Sequence, residues 1–328
     1  METNVIRMVD GGSERAAEKS NVALRLDTGN DTGSSHAFIL GKNVEIVEDA
    51  CDEDPFTPTL FEAPEITSRR DDVQLGQLWA LGPHRLLVDD SLNADNIDRL
   101  MDGSFADIVF TDPPYELDSS GGNLMVNYAN CGTRMKDVHR KLESVGISKF
   151  DPEKLFPILK KLFRPNHFSA FIFPGTKLRL EYENWAKSNG FSTTLLIWDK
   201  VSGMPIGDHH CPDIEPLLFM RLNAKWNDVE TAPTAKRTRC WEHNRQKVQG
   251  YGHPSPKPSP LIENQLLLTT GHGDIVVDLF GGSGSTLMAC VAQKRRCFIA
   301  EHNPEFASVI INRYEEYTKD KAVLLTTS

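Results

Sequence analysis

One stretch decides the fold of this 328-residue chain: Asp274-Ile-Val-Val-Asp-Leu-Phe-Gly-Gly-Ser-Gly-Ser-Thr286. A short apolar run leads into three glycines, and two hydroxyl residues then open a second apolar run. Glycine lets a backbone approach a ligand closely, and the first turn of a helix presents unpaired N–H groups to an anionic group. The stretch therefore predicts a buried strand, a ligand-binding loop and the start of a helix. A tight strand-to-helix turn without a ligand is the alternative.

A carboxylate beyond this loop indicates which ligand to expect. Glu301 follows the next apolar strand, 20 residues after Gly281. In α/β proteins a carboxylate at this place accepts hydrogen bonds from ribose hydroxyls. The Gly-x-Gly-x-x-Gly pattern of NAD sites fails, because Leu287 stands where the third glycine would be. We expect a cofactor that contains adenosine.

The chain beyond Leu75 alternates between apolar strands and helical patterns. The expected strands are 85–88, 106–111, 170–173, 193–198, 215–220, 274–279 and 297–300. The expected helices are 93–101, 152–162, 177–188, 261–269, 285–294 and 304–317. Strands separated by helices imply a Rossmann-like α/β fold, with a mostly parallel sheet covered by helices on both faces.

Charge divides the chain into two parts. Residues 1–72 hold 16 acidic and 7 basic side chains, whereas the whole chain has 46 and 36. The acidity therefore belongs mainly to the N-terminal part, and the remainder is close to neutral. The polar, Gly- and Pro-containing composition of the N-terminal part predicts a mostly disordered acidic arm and linker over 1–71. One enzyme domain is expected to follow over 72–328.

The composition also suggests where the protein works. We expect a cytoplasmic protein, because the sequence shows neither a signal peptide nor a run of about 20 apolar residues that would span a membrane. The six cysteines are scattered and form no Cys-x-x-Cys pair, which favours free thiols. Five residues, His209, His210, Cys211, Cys240 and His243, match no usual zinc spacing, so we expect no metal.

A second motif, Thr111-Asp-Pro-Pro-Tyr115, ends the strand predicted over 106–111. An aromatic amine is a poor nucleophile, because its lone pair is delocalised into the ring. The Asp112 carboxylate and the Pro113 carbonyl can accept its two N–H bonds and favour a pyramidal nitrogen. Pro113 and Pro114 fix the backbone, and Tyr115 offers a face on which a flipped base can stack. The alternative, an ordinary Pro-Pro turn capped by Asp, loses weight beside the glycine loop.

Together these motifs resemble those of the amino-methylating DNA methyltransferases, the N6-adenine and N4-cytosine family. The order, Asp112–Tyr115 before Asp278–Thr286, is similar to that of the circularly permuted group. His253-Pro-Ser-Pro-Lys-Pro258 is similar to the family's His-Pro-x-x-Lys-Pro element. Residues 76–91 look like its opening segment, and Ile197-Trp-Asp-Lys200 resembles the strand end after its catalytic half. The resemblance covers about residues 72–319.

The resemblance implies a cofactor, S-adenosyl-L-methionine, and a role for each matched residue. Asp112, Pro113 and Tyr115 would hold the target base. Asp90 would lie near the cofactor adenine, Glu301 on its ribose and Lys257 near its methionine carboxylate. The residues expected to frame the cofactor are Asp278, Phe280, Gly281, Gly282, Ser283 and Gly284.

A basic segment is the expected DNA contact. Residues 231–257 carry six Lys or Arg and one acidic residue, with aromatic side chains interspersed. Such a segment fits phosphate contacts on duplex DNA, although a solvated basic loop is the alternative. The candidate contacts are Lys236, Arg237, Arg239, Arg245 and Lys247, in a small target-recognition segment near 200–253. Residues 116–150 are expected to form a mobile loop that closes over the target strand.

Several functions remain open at this stage. The resemblance favours adenine N6, because the family's cytosine members often carry Ser at the position of Asp112. N4-cytosine methylation is the alternative, followed by a catalytically silent module that binds DNA and S-adenosylmethionine, and by RNA or protein amine methylation. Carbon-5 methylation needs a Pro-Cys dipeptide, which the sequence lacks. A homodimer and a cognate restriction endonuclease are also left open as partners.

Overall fold

The structure is a computed structural model that describes residues 70–114, 150–200, 213–227, 232, 234–242 and 257–326. Its strands are β1 Gln77–Leu81, β2 His84–Val88, β3 Ile108–Thr111, β4 Phe168–Ile172, β5 Ser192–Asp199, β6 Ile214–Leu222, β7 Cys240–Glu242, β8 Ile275–Asp278, β9 Arg296–Ala300 and β10 Val323–Thr326. Its helices, numbered here in chain order, are α1 Ala94–Met101, α2 Pro152–Lys161, α3 Gly175–Ser188, α4 Ser259–Thr269, α5 Ser285–Ala292 and α6 Pro304–Thr318.

These strands form one sheet in the order β10-β1-β2-β9-β8-β3-β4-β6-β5-β7. The central strands β2, β9, β8, β3 and β4 run parallel. Strand β6 is antiparallel to both of its neighbours, β4 and β5. Because of this reversal, β6 begins at the edge of the sheet where the parallel strands end.

Helices cover both faces of the sheet. On one face, α4, α5 and α6 bury apolar side chains against alternate residues of the strands, such as Phe110 and Val276. On the other face, α1, α2 and α3 pack against the intervening residues, such as Val109 and Val277. Successive residues of a strand point to opposite faces, so a strand covered on both sides must be apolar throughout. The sequence shows this pattern in β3, β4 and β8.

The chain leaves β3 and β8 in opposite directions. From β8 it crosses through α5 to β9, whereas from β3 it reaches α2 and then β4 on the other side. The two strands are neighbours in the sheet, with Ile108 opposite Val276. In open α/β sheets, ligands bind in the crevice at such a switch point, outside the carboxyl ends of the strands. The fold therefore provides its crevice beside Thr111 and Asp278.

The Rossmann-like fold expected from the sequence is confirmed, and each element expected there lies within two residues of an observed one. Three strands were not expected: the two outermost strands, β7 and β10, and β1, which pairs with β10. The start of the enzyme domain at residue 72 stays a prediction. Arg70 already pairs with Glu315, at 3.2 Å between Nη1 and Oε1, and its guanidinium lies over the Trp79 ring.

Candidate active site

The glycine loop and the Asp-Pro-Pro turn line the same pocket. It lies at the carboxyl ends of β3 and β8, and its volume is about 360 Å³, part of which is open to solvent. The residues that line it are Phe110, Thr111, Asp112, Phe173, Lys257, Ile262, Asp278, Phe280, Gly281, Gly282, Ser283, Ser285 and Thr286. Two motifs more than 160 residues apart in the sequence thus meet in space.

The glycines of the loop serve its packing as well as its surface. A Cβ atom on Gly281 would lie 2.8 Å from the Ile299 side chain and 3.1 Å from that of Ile310. Gly284 adopts a left-handed conformation, with φ of 79°, directly before α5. Both positions therefore need glycine for the turn itself, whatever binds in the pocket. This reason adds to the close approach of a ligand, which was the reason expected from the sequence.

Glu301 anchors this loop from the end of β9. Its Oε2 accepts a hydrogen bond from the Gly282 N–H at 2.7 Å, and its Oε1 accepts one from the Asn303 N–H at 2.8 Å. Burial raises the pKa of Glu301 to about 7. Each carboxylate oxygen has a second lone pair. The side chain can therefore hold the loop and still accept hydrogen bonds from a sugar hydroxyl.

Asp278 and Thr111 join the two strands at the switch point. The Thr111 hydroxyl donates to Asp278 Oδ1 at 2.9 Å, and the Leu279 N–H reaches Thr111 Oγ1 at 3.2 Å. The Phe280 N–H donates to the same carboxylate at 3.1 Å. Burial raises the pKa of Asp278 to about 6, against the effect of these hydrogen bonds. The end of β3 is therefore fixed relative to the glycine loop by side-chain hydrogen bonds.

Asp112 lies at the end of β3 with one oxygen paired and one free. Its Oδ2 is 2.6 Å from Lys257 Nζ, whereas Oδ1 is buried and has no hydrogen-bond partner among the described residues. A buried acceptor without a donor is costly, and such atoms are rare in folded proteins. Burial raises the pKa of Asp112, and the Lys257 charge opposes that shift. Oδ1 is therefore a vacant acceptor that fits an N–H donor entering the pocket.

Two residues that the sequence interpretation did not assign complete this part of the site. Glu215, at the start of β6, contacts Lys257 Nζ through Oε2 at 3.2 Å and Lys200 Nζ through Oε1 at 2.7 Å. Burial alone would raise the pKa of Glu215, but the charges of Lys257 and Lys200 lower it. Lys257 pairs with Asp112 and Glu215, and its expected contact with the methionine carboxylate stays a prediction. The available signal was that Asp199 and Lys200 follow the strand expected over 193–198, and that Glu215 begins the one expected over 215–220.

Asp90 lies apart from this cluster. It follows β2, and its Oδ1 accepts a hydrogen bond from the Leu92 N–H at 2.9 Å, which shapes the turn into α1. It is exposed and is not among the residues that line the pocket. Since β2 is parallel to β9, Asp90 lies at the same edge of the sheet as Glu301. A contact with the cofactor adenine stays a prediction.

The basic segment lies beside the outermost strand of the sheet, β7, which pairs with β5. Lys236, Arg237 and Arg239 are all exposed. The backbone of Lys236 is held by Asn264, whose side chain accepts from its N–H at 2.6 Å, and the Arg239 carbonyl accepts from the Ile197 N–H at 2.7 Å. The cationic side chains therefore start from a fixed backbone, and the Arg237 guanidinium also donates to the Asn227 carbonyl at 3.0 Å. This arrangement suits contacts with a polyanion.

Several expected features lie outside the described residues. They are Tyr115, Arg245, Lys247, the arm over 1–69, most of the expected loop over 116–150, and most of the recognition segment over 200–253. Four of the five His and Cys residues considered for zinc also lie outside. Within the described ranges, no three His, Cys, Asp or Glu side chains are grouped to hold a metal ion. No helix of the same ranges is long and apolar enough to cross a bilayer.

Comparison with solved structures supports the fold. The cytosine-N4-specific PvuII DNA methyltransferase aligns over 75% of this chain and 94% of its own, with a TM-score of 0.51 and 17% identity. This chain therefore shares the fold of that enzyme. A family model described as DNA methylase, covering the N6 and N4 enzymes, matches residues 106–313, which is more than half of the chain. The chain belongs to this family, whose members depend on S-adenosylmethionine.

Curated relatives agree with this assignment. The type II methyltransferase M.Cfr9I of Citrobacter freundii is 28% identical over 210 residues, which are 59% of this chain and 65% of that protein. The type II methyltransferase M2.DpnII of Streptococcus pneumoniae is 26% identical over 239 residues, or 64% and 82%. The chain thus spans slightly less than two thirds of the first relative and most of the second.

Proposed function

We propose that this chain transfers the methyl group of S-adenosylmethionine to the exocyclic N6 amine of adenine in double-stranded DNA. The observation that carries the proposal is the vacant Oδ1 of Asp112, in the pocket that the glycine loop also lines. An acceptor at this position can bind an amine N–H and leave the nitrogen lone pair directed towards the cofactor side of the pocket. The lining residues and the chemistry of the family support the same reaction.

The hydrogen-bond acceptors around the glycine loop fit S-adenosylmethionine. Glu301 has acceptor capacity for ribose hydroxyls, and Asp278 is a buried carboxylate at the start of the glycine loop. When bound, S-adenosylmethionine supplies an electrophilic methyl group: the amine nitrogen forms the new C–N bond, the C–S bond breaks with its electron pair left on sulfur, and one amine proton is released. In the proposed complex, Gly281, Gly282 and Gly284 border the cofactor.

The Asp-Pro-Pro turn prepares the amine for this reaction. Asp112 Oδ1 would accept one amine N–H and the Pro113 carbonyl the other, which draws the nitrogen towards a pyramidal geometry. Pro113 is buried and Pro114 half-buried, so the backbone of the turn has little freedom. Tyr115 would stack on the flipped base. Positioning of this kind accounts for a large part of the rate enhancement in reactions between two bound partners.

Adenine is proposed over cytosine because of Asp112. A carboxylate occupies the position where the resemblance predicts Ser in many cytosine N4 enzymes. N4-cytosine methylation is the second candidate, and the fold of PvuII methyltransferase, which is cytosine-N4-specific, supports keeping it. DNA would be held through Lys236, Arg237 and Arg239. The relatives named type II methyltransferases make a cognate restriction endonuclease a further proposed partner.

The experiment combines methyl transfer with mapping of the product. The purified chain is incubated with labelled S-adenosylmethionine and unmethylated duplex DNA, and long-read sequencing then identifies the modified base. We expect N6-methyladenine at one short sequence, and none with Asp112→Ala, because the acceptor of the amine proton is lost. The control is Asp98→Asn on α1, which removes the exposed pair with Lys161 at the end of α2 and should stay active. If the product is N4-methylcytosine, the alternative function is correct. If the Asp112→Ala variant keeps a turnover within about tenfold of normal, Asp112 does not take part in the chemistry.

A further inference from the structure

Four charged side chains form an unbroken ion-pair network beside the pocket. In order they are Lys200, Glu215, Lys257 and Asp112, with N···O distances of 2.7, 3.2 and 2.6 Å between successive members. We call them the four-residue network. Only its last member, Asp112, belongs to the Asp-Pro-Pro-Tyr motif. The others come from the end of β5, the start of β6 and the residues before α4.

The reversed direction of β6 brings this network together. Trp198 of β5 lies opposite Glu215 of β6, and the Lys200 N–H donates to the Asp213 carbonyl at 2.7 Å. The start of β6 is thus held at the end of β5, at the sheet edge where Asp112 lies. The Lys257 ammonium also lies over the Phe173 ring, 4.8 Å from its centroid. Lys257 is therefore held from several sides.

Burial makes the partners of each charge important. The side chains of Lys200 and Lys257 are only 6% and 7% exposed, and that of Glu215 is 15% exposed. Removing one partner of a buried pair leaves an uncompensated charge, which costs much more than the loss of a surface pair. The network contains two positive and two negative groups and is neutral as a whole. Lys257 stands between two carboxylates, and its position depends on both.

We propose that Glu215 and Lys200 are positioning residues for methyl transfer, which hold Lys257 on Oδ2 of Asp112 so that Oδ1 alone accepts the target amine. This inference rests on the proposed function, in which Asp112 Oδ1 binds the amine. Glu215 sets the position of the ammonium from the opposite side, and Lys200 holds Glu215. Neither residue is among those that line the pocket, and in this proposal both act through Lys257.

The charges around Asp112 determine what each substitution should do. Lys257, Lys200, Glu215, Asp278 and Tyr182 face it from the packed elements. The charge of Glu215 raises the pKa of Asp112 and that of Lys200 lowers it. Neutralising Glu215 should therefore move the acid limb of the rate profile to lower pH. Neutralising Lys200 should move it to higher pH.

The test is the single-turnover rate of methyl transfer as a function of pH, for Glu215→Gln and Lys200→Met. We expect each rate at its plateau to fall by roughly ten- to a hundredfold, the scale of a misplaced catalytic group. The acid limb should shift by about half a unit to one unit, in opposite directions for the two variants. The KM for S-adenosylmethionine should change little. A residue that only supports the fold would give no opposite pH shifts.

Asp98→Asn again serves as the control, because it removes an exposed pair far from the site and should keep both rate and profile. The two variants are evaluated independently, so one that folds poorly leaves the other decisive. Unchanged rates and profiles, or a change confined to the KM for S-adenosylmethionine, overturn the inference and favour a role of Lys257 in binding the methionine carboxylate. Asp112→Ala is measured in parallel. If this variant stays active, the proposed function fails. If it is inactive while Glu215→Gln and Lys200→Met keep normal rates and pH profiles, this inference alone fails.

Discussion

Replacement of Glu301 by Gln tests the cofactor side of the site. The carboxylate accepts the Gly282 N–H at 2.7 Å and the Asn303 N–H at 2.8 Å with its two oxygens. Glutamine keeps nearly the same shape but has one oxygen and one NH₂ group, so one of the two backbone N–H groups must face another donor. The substitution therefore disturbs the glycine loop and removes a negatively charged acceptor from the proposed ribose site.

The expected size of the effect follows from these hydrogen bonds. A hydrogen bond to a charged group contributes about 1.5–3 kcal/mol, and leaving a buried donor unpaired costs about 1–3 kcal/mol. We expect binding of S-adenosylmethionine to weaken by about 1–3 kcal/mol, since the loop bond is lost in the free protein as well. This corresponds to a roughly five- to 150-fold higher Kd. The free energy of unfolding should fall by an amount of the same order.

The pH dependence gives a second signature. Burial raises the pKa of Glu301 from its ordinary 4.5 to about 7 in the folded protein. The folded state therefore binds this proton more tightly than the unfolded state. The contribution of Glu301 to the free energy of unfolding consequently declines as pH rises from about 4.5 through about 7. The ionised form is the better acceptor, and binding of S-adenosylmethionine should tighten as pH rises through about 7. In Glu301→Gln the part of the pH dependence of S-adenosylmethionine binding that is centred at about 7 should be lost.

Calorimetric titration on either side of pH about 7, combined with thermal unfolding, measures both quantities. Glu153→Gln, an exposed site in the first turn of α2, is the matched control and should leave the Kd unchanged. A Glu301→Gln protein that binds within about twofold of normal at the higher pH would refute the reasoning. A lower free energy of unfolding with unchanged affinity for S-adenosylmethionine would mean that Glu301 only stabilises the glycine loop.

Two further predictions concern parts of the chain outside the pocket. Changing Lys236, Arg237 and Arg239 together to Ala should weaken binding to every DNA sequence without changing the methylated sequence. The slope of log affinity against log salt should flatten by about two to three units. An unchanged slope would mean that these exposed residues do not contact phosphates. Removal of residues 1–69, which leaves Arg70 and its contact with Glu315 intact, should preserve methyl transfer, because the motifs all lie beyond the cut. A truncated protein that folds but cannot methylate any DNA would contradict the second prediction.

The central fold was predictable because its strands are buried on both faces. Val276 and Val277 point to opposite sides of the sheet, so β8 reads as a continuous apolar run bounded by glycines. The edge strands carry no such signal. In β7 only Trp241 is buried, and in β10 the apolar residues Val323–Leu325 are exposed. Strands of this kind are defined by pairing with a neighbour, and pairing is not visible in local sequence.

The candidate site was predictable where a motif is continuous in the sequence. Asp112 and the glycine loop could be related to one pocket because both follow strands that end at the same sheet edge. Glu215 could not, because its contact with Lys257 depends on β6 running in the opposite direction, which apolar periodicity does not encode. The partner of Lys257 could not be predicted for the same reason. Long-range charge pairs depend on topology, whereas loop chemistry depends on neighbouring residues.

The pairing of β1 with β10 has a consequence for how such a protein can be encoded. These strands join the first and last described parts of the domain, with Ala80 opposite Val323. Domains whose ends lie close together tolerate circular permutation, because a short linker can close the old ends while new ones are opened in a surface loop. The half that contains Asp112 and the half that contains the glycine loop could therefore be exchanged in the gene without changing a strand neighbour. The order of the two motifs in the sequence then depends on where the chain is opened, whereas the pocket depends on the neighbours in the sheet.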